Sequence, residues 1–357
     1  MQIHVESFTV HKRFALTISR GTTAQTTNIW VRIEHAGIEG WGEASPFSIG
    51  SNRQTTEDIL EALQPFVRLA EGLNPLNGQQ IEQLFIELKT PSAARAAIDT
   101  ALHDWLGKKV GLPLWQMWGL NLKAITPVSV TIGINSPEGA KERVRDWFKL
   151  TKFKFVKVKL GSPAGIEADR AMLMAVKEEA PPKTQLSVDA NGGWSLDDAV
   201  KMCSWLADWG VKYVEQPLPA GQEKDLPVLK AKSPLPIFVD ESCFTSRDIP
   251  KLADRVHGIN IKLMKSGGLA EALRMIHTAR ACGLQVMFGC YSDSSIANTA
   301  MAQLSPLADY LDLDSHLNLI DDPFAGAVIE KGCLVPSDLP GLGVRKKLDF
   351  LTADTRR

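Results

Sequence analysis

A chain of 357 residues, 44% hydrophobic and 23% charged, has room for two domains or for a barrel with an appendage. Its 40 basic and 41 acidic residues leave a net charge of −1, which argues against nucleic acid or an anionic membrane as partner. The opening "MQIHVESFTVHKRF" lacks a signal-like apolar stretch, and no run approaches the roughly 18 apolar residues of a membrane span. Five scattered cysteines fit neither a disulfide framework nor a zinc pattern, so a reduced, cytoplasmic protein is expected. The oligomeric state is not legible, and a homo-oligomer stays open.

Residues 1–122 read as an α+β domain. Alternating strand regions, "IHVESFTVHKRFALTISRG" and "NIWVRIEHAGIEGWGEASP", precede helical patterns over "TTEDILEALQPFVRLAEG" and "SAARAAIDTALHDWLGKKVG". His103 and Asp104 in the latter read as ordinary helix residues. From about residue 126 the pattern changes. Eight β-branched or apolar runs lie at 126–133, 155–161, 185–192, 212–217, 236–242, 258–263, 285–292 and 309–315. Helical stretches such as "SLDDAVKMCSWLADWG" and "LAEALRMIHTARACG" separate them and end at glycines.

Eight strands with helical crossovers predict parallel pairing. The expected fold class is α/β: a modified (β/α)8, TIM-type barrel at 123–320 behind an N-terminal α+β capping domain. A doubly wound open sheet is the alternative, and the missing G-x-G-x-x-G after the first strand counts against it. Segment 321–357 is loop-rich and is expected to pack back on the capping domain.

Strands of a parallel barrel are buried on both faces, so a charge in one needs a reason. Charges recur at strand ends: Lys157 and Lys159 on the second strand, Asp189 on the third, Glu215 on the fourth, Asp240 on the fifth and Lys262 on the sixth. Asp312 and Asp314 follow on the eighth. Each step is about one β/α unit, and active sites of such barrels sit at this end. Any single one of these residues could be a strand end reaching solvent; the repetition is what points to a site.

Asp189, Glu215 and Asp240 converge from neighbouring strands and would repel one another without a cation between them. Oxygen donors without His or Cys favour Mg2+ before Ca2+ or Mn2+. Glu241 faces away by strand alternation. The second and sixth strands are diametrically opposed, so Lys159 and Lys262 would face each other across the cavity. One would remove a proton from a carbon and the other would return it to the opposite face. A lysine base needs its pKa moved from about 10.4 toward about 7–8. Lys157, two residues before Lys159, is expected to supply part of that bias. Lys265, beyond the sixth strand, is expected at the entrance to the next helix and away from the chemistry.

The stretches "KVKLG", "DANGGW", "VEQP", "VDES" and "NIKLMKSGG", with "GWGEASP" in the first domain, resemble the muconate-lactonizing branch of the enolase superfamily over nearly the whole chain. The resemblance implies one Mg2+ per subunit held by Asp189, Glu215 and Asp240. It also implies Lys159 and Lys262 as the acid/base pair, and Asn191 as support for the metal site. Through a metal-stabilised enolate, this branch moves a proton beside a carboxylate.

The "YLDLDS" run is similar to the D-x-D of the branch's dipeptide epimerases. There Asp312 and Asp314 would hold the substrate ammonium, as charge complementarity also suggests. Thr131 and Lys157 match or adjoin substrate-contacting positions. In "SRGTTAQTT", Arg20 matches an arginine of the Ala-Glu epimerases, but Thr23 stands where the second would be. Phe47 and Ile49 favour hydrophobic dipeptides, and Arg53 could still reach the pocket. Asp293 is the ground for an alternative preference for cationic dipeptides. An o-succinylbenzoate synthase or N-acylamino acid racemase is the second reading. A small-molecule-binding barrel without turnover is the third.

Overall fold

The computed structural model describes residues 1–50 and 52–347. The chain opens with an antiparallel meander of β1 (Gln2–Ile18), β2 (Gly21–His35) and β3 (Ile38–Ala44). Three helices follow: α1 (Thr56–Leu69), α2 (Gly78–Glu87) and α3 (Ser92–Val110). Thr55 and Asp58 form a reciprocal capping box that starts α1. In α3, Ala93, Ala94, Ala96, Ala97 and Ala101 are buried. A Cβ on Gly40 or Gly42 would strike the carbonyls of Ala101 or Ala97. The "GWG" glycines therefore let this alanine-rich helix lie directly on β3, which fixes the following residue, Glu43.

The second unit is an eight-stranded parallel sheet. In chain order its strands are β4 (Ser129–Ile132), β5 (Phe155–Lys159), β6 (Gln185–Asp189), β7 (Val214–Glu215), β8 (Ile237–Val239), β9 (Gly258–Lys262), β10 (Gln285–Gly289) and β11 (Tyr310–Asp312). Spatial order follows sequence order, and a parallel bridge between Val128 and Leu311 joins the last strand to the first. Helices between the strands include α4 (Pro137–Leu150), α5 (Ile166–Glu179), α6 (Leu196–Asp208), α7 (Leu226–Lys232), α8 (Leu269–Ala281) and α9 (Ser295–Ala302). This is the expected barrel.

Register then decides the layers inside. Lys159 pairs with Asp189 and Asp189 with Glu215, while Lys262 pairs with Gly289 and Gly289 with Asp312. The charged residues thus form one level at the C-terminal end. Residues two earlier on the same strand face form the level below. There Tyr213, Phe238, Met287 and Tyr310, with Phe155 two residues deeper on β5, make a separate apolar cluster, with Tyr213 and Tyr310 centroids 4.5 Å apart. The ionic layer rests on an aromatic plug.

Phe324 packs edge-on against Phe8 and Trp41 of the first unit, and the Leu342 amide donates to Asp104 at 2.7 Å. Asp104 also accepts from the Trp41 amide and pairs with Lys108 at 2.7 Å. It ties helix, sheet and C-terminal segment together, a role its helical pattern did not reveal. The remainder of the expected C-terminal segment, 348–357, lies outside the described residues.

Candidate active site

The strand ends surround a cavity of about 570 Å3. Lys159 and Lys262 both line it, together with Asn191, Arg20, Phe47 and Tyr291. A smaller chamber of about 40 Å3 adjoins it, lined by Lys12, Thr131, Asp312 and Asp314 among others. The two lysines come from β5 and β9, four strands apart in a ring of eight. A Cβ on Gly289 would come within 2.9 Å of Lys262 Cε, so glycine at the end of β10 leaves room for that side chain.

Each lysine meets a carboxylate. Lys159 Nζ lies 2.6 Å from Asp189 Oδ2, and Lys262 Nζ lies 2.7 Å from Asp240 Oδ2. Burial pulls the Lys262 pKa down, but Asp240 and the other acidic neighbours outweigh it and hold it well above its ordinary value.

Lys157 differs most from expectation. It is 0% exposed, lines neither cavity, and stands 2.6 Å from both Glu215 Oε2 and Asp312 Oδ2. It is a counterion beneath the cavity floor, not a wall of it. Burial opposes its charge, yet Asp312, Glu215 and Asp189 raise its pKa well above the ordinary value.

Lys265 is also misplaced by the sequence pattern. It is 1% exposed, and its Nζ reaches the Asp240 main-chain oxygen and Oδ1, both at 2.6 Å, and the Asn260 oxygen at 3.0 Å. Burial works against ionisation of Asp240, but Lys262 and Lys265 overcome it and keep the carboxyl well below its usual range. Glu215 goes the other way. Burial and the Asp189 charge raise it to about 7.

Among the described residues, no three His, Cys, Asp or Glu side chains stand together at metal-holding distance. The lysine ammoniums lie against the carboxylates instead. Other features nevertheless fit a hard divalent cation. Glu215 Oε2, Asp240 Oδ2 and Asn191 Oδ1 are buried with no hydrogen-bond partner. The contacts of Lys157 and Lys262 to the first two are close but lack hydrogen-bond angles. Three carboxylates on adjacent strand ends supply an all-oxygen donor set. Asn191 and Gln216, at φ 44 and 36, turn the chain sharply just past Asp189 and Glu215. Gln216 accepts the Asp240 amide at 2.8 Å and so couples neighbouring ligand positions.

β11 ends at Asp312, and Asp314 already lies at the N-cap of the 3-10 turn Ser315–Asn318. The two aspartates are not consecutive inward residues of one strand. Both still reach Thr131: Asp312 through its hydroxyl at 3.2 Å, Asp314 through its amide at 2.7 Å. Asp312 is already compensated by Lys157. Burial and Asp312 raise Asp314 to about 6.

Asp293 lines neither cavity. It accepts hydrogen bonds from the Ser45 hydroxyl and the Tyr291 amide. Nearby Glu43 reaches across from the first unit to the start of α9, accepting the Ser294 and Ala297 amides at 2.8 and 3.0 Å. Burial and Asp293 raise Glu43 to about 8. Arg20 bonds Glu241 at 2.9 Å and the Asn191 oxygen at 3.0 Å, which clamps the first unit over the strand ends. Sequence reasoning missed Lys12 and Tyr291. It also missed Asn260, which donates to Glu215 at 2.7 Å and whose polar character inside β9 was a usable signal.

Two family models cover this architecture: the mandelate racemase / muconate lactonizing enzyme N-terminal domain over residues 2–119, and the enolase C-terminal domain-like region over 139–349. The chain is 46% identical over 351 residues to the hydrophobic dipeptide epimerase of Flavobacteria bacterium (strain MS024-2A), covering 98% of this chain and 99% of that one. The chain belongs to the dipeptide epimerase family of the enolase superfamily. A second relative in the family, the hydrophobic dipeptide epimerase of Roseobacter litoralis, is 44% identical, with 96% and 98% of the two chains covered. The dipeptide epimerase of Enterococcus faecalis V583, solved with Mg and L-Leu-L-Tyr, superposes with a TM-score of 0.89 at 33% identity, over 96% of this chain and 98% of that one.

Proposed function

We propose that the protein is a Mg2+-dependent isomerase that inverts the α-carbon of the C-terminal residue of hydrophobic dipeptides. One observation carries this reading: Lys159 and Lys262 wall the same cavity from opposite strands. Asp189, Glu215 and Asp240 would hold one Mg2+ per subunit, supported by Asn191. That ion supplies positive charge beside the substrate carboxylate, where negative charge grows as the α-proton leaves.

Lys159 and Lys262 then exchange protons with the two faces of the same carbon. Each needs to be neutral when it accepts and charged when it donates. The capping unit, clamped by Arg20 and by Glu43, excludes water from that exchange. Asp314, in the smaller chamber, would meet the substrate ammonium; the Thr131 amide bonds it, while the Thr131 hydroxyl bonds Asp312.

Leu16, Ile18 and Phe47 line the larger cavity and suit an apolar second side chain. Glu57 is the single acidic residue at that wall among the described residues, beside Arg20 and Arg53. Asp293, the ground for a cationic preference, is turned to Ser45 instead. The two relatives above are both epimerases of hydrophobic dipeptides. All five cysteines are free, which suits a reducing, cytoplasmic setting. Among the described residues no helix is long and apolar enough to cross a membrane.

The test is incubation of Mg2+-loaded protein with a mixed L,L-dipeptide library in D2O. Mass gain confined to dipeptides with an apolar second residue is the expected result. No deuterium uptake by any dipeptide, from folded protein, overturns the reading.

A further inference from the structure

Tyr291 stands just past β10, at the wall between the two chambers. Its ring stacks on Phe47 of the capping unit, with centroids 4.9 Å apart and planes 9° from parallel. Its other neighbour is Lys262, whose Nζ lies 4.6 Å from the ring centroid. The Tyr291 amide is held by Asp293 at 3.1 Å. Backbone and ring are therefore fixed from both units of the protein.

The hydroxyl is not fixed. It is buried, and among the described residues it has no hydrogen-bond partner. A buried hydroxyl without a partner is costly, and native structures rarely leave one unless a ligand, an ion or an ordered water satisfies it. Burial also pushes the phenol well above its ordinary pKa, so it stays a neutral donor.

Leu16, Lys159, Cys290 and Tyr291 are shared by both chambers. Leu16 has no polar side-chain atom. Cys290 Sγ already contacts the Asp312 oxygen at 3.2 Å, and Lys159 is engaged by Asp189. Of these four, Tyr291 alone carries a side-chain O–H with no partner among the described residues. A dipeptide with its α-carbon between the lysines and its ammonium at Asp314 must lay its peptide bond across the same divide.

We propose that the Tyr291 hydroxyl donates a hydrogen bond to the carbonyl oxygen of the substrate's peptide bond. This rests on the dipeptide reading above. It makes Tyr291 a substrate-contacting residue that recognises the linkage itself, not either side chain.

The test uses Tyr291→Phe, which removes only the oxygen and keeps the stack and the ring over Lys262. In the Mg2+-loaded enzyme, KM for the best dipeptide should rise about 3- to 10-fold, with kcat within about 2-fold. The melting temperature should stay level or rise, because an unpaired buried hydroxyl has been removed. A dipeptide isostere with CH2 in place of the carbonyl should inhibit wild type and Tyr291→Phe equally.

An unchanged KM overturns the proposal, and so does a lowered melting temperature, since the hydroxyl would then serve the fold. A larger loss of affinity for the isostere than for the dipeptide also overturns it. A wild-type enzyme that exchanges no dipeptide refutes the functional reading and this proposal together. A wild type active on dipeptides, with a Tyr291→Phe variant of equal KM, refutes only the role of Tyr291.

Discussion

Lys265 grips Asp240 at two points, its main-chain oxygen and its Oδ1, each at 2.6 Å. The lysine comes from the first turn after β9, yet it crosses to the end of β8 and fixes the carboxylate that Lys262 also touches. The two lysines of "KLMKSGG" thus meet opposite oxygens of one aspartate. Lys262 faces the cavity; Lys265 stands behind it, sealed from solvent.

Replacing Lys265 with methionine keeps most of the bulk and removes the anchor. Magnesium affinity, measured by calorimetric titration, should fall by about 10- to 100-fold, as for other groups that orient a ligand. Breaking one side of a buried ion pair should also cost about 3–5 kcal/mol, read as a lowered melting temperature. Wild-type magnesium affinity in the variant would remove Lys265 from the metal site.

Lys159→Ala and Lys262→Ala should each lower epimerisation by at least about 100-fold, the lower range for a positioned acid or base. Magnesium titration of the same variants should still show binding. Measured by polarimetry, the loss is expected in kcat. Either variant epimerising at wild-type rate would break the two-lysine reading.

Asp314→Asn leaves the Lys157–Asp312 pair intact and removes the charge in the small chamber. KM for dipeptides with a free amine should rise about 10- to 100-fold, the range for a charge-assisted hydrogen bond. N-acetylated substrates should respond to the change little or not at all. Turnover of substrates without a free amine, indifferent to Asp314→Asn, would instead favour an N-acylamino acid racemase or o-succinylbenzoate synthase.

His316 offers a pH test away from the chemistry. Burial lowers its pKa to about 4 from 6.5, and neither ring nitrogen has a hydrogen-bond partner among the described residues. Between these two values the unfolded chain binds a proton that the folded chain does not. Its contribution to stability is thus present above about 6.5 and is lost as pH falls toward about 4. Melting curves across that window should fall more steeply for wild type than for His316→Leu. Parallel curves would show that the imidazole does not drive the loss.

Much of the site was legible because a barrel strand imposes a strict alternation. Once eight parallel strands were counted, Lys159, Asp189, Glu215 and Lys262 had to point inward at comparable heights, and the observed register agrees. The aromatic layer two residues below follows the same rule, although it was not foreseen. Asp314 escaped the rule because β11 stops at Asp312. Spacing of two implies a shared face only while the strand continues.

Sequence alone determined the barrel, the capping unit, the residue types at the strand ends and the chemistry those types permit. These follow from local periodicity and from the cost of burying a charge without a reason. Only the tertiary structure decided which charge meets which. Lys157 and Lys159 share a strand face, but one is a buried counterion and the other lines the cavity. Lys265 serves Asp240, Asp293 serves Ser45, and Tyr291 stands between Phe47 and Lys262. Each of those partners lies well away in the chain or on another element, and side-chain reach between elements leaves no period in a sequence.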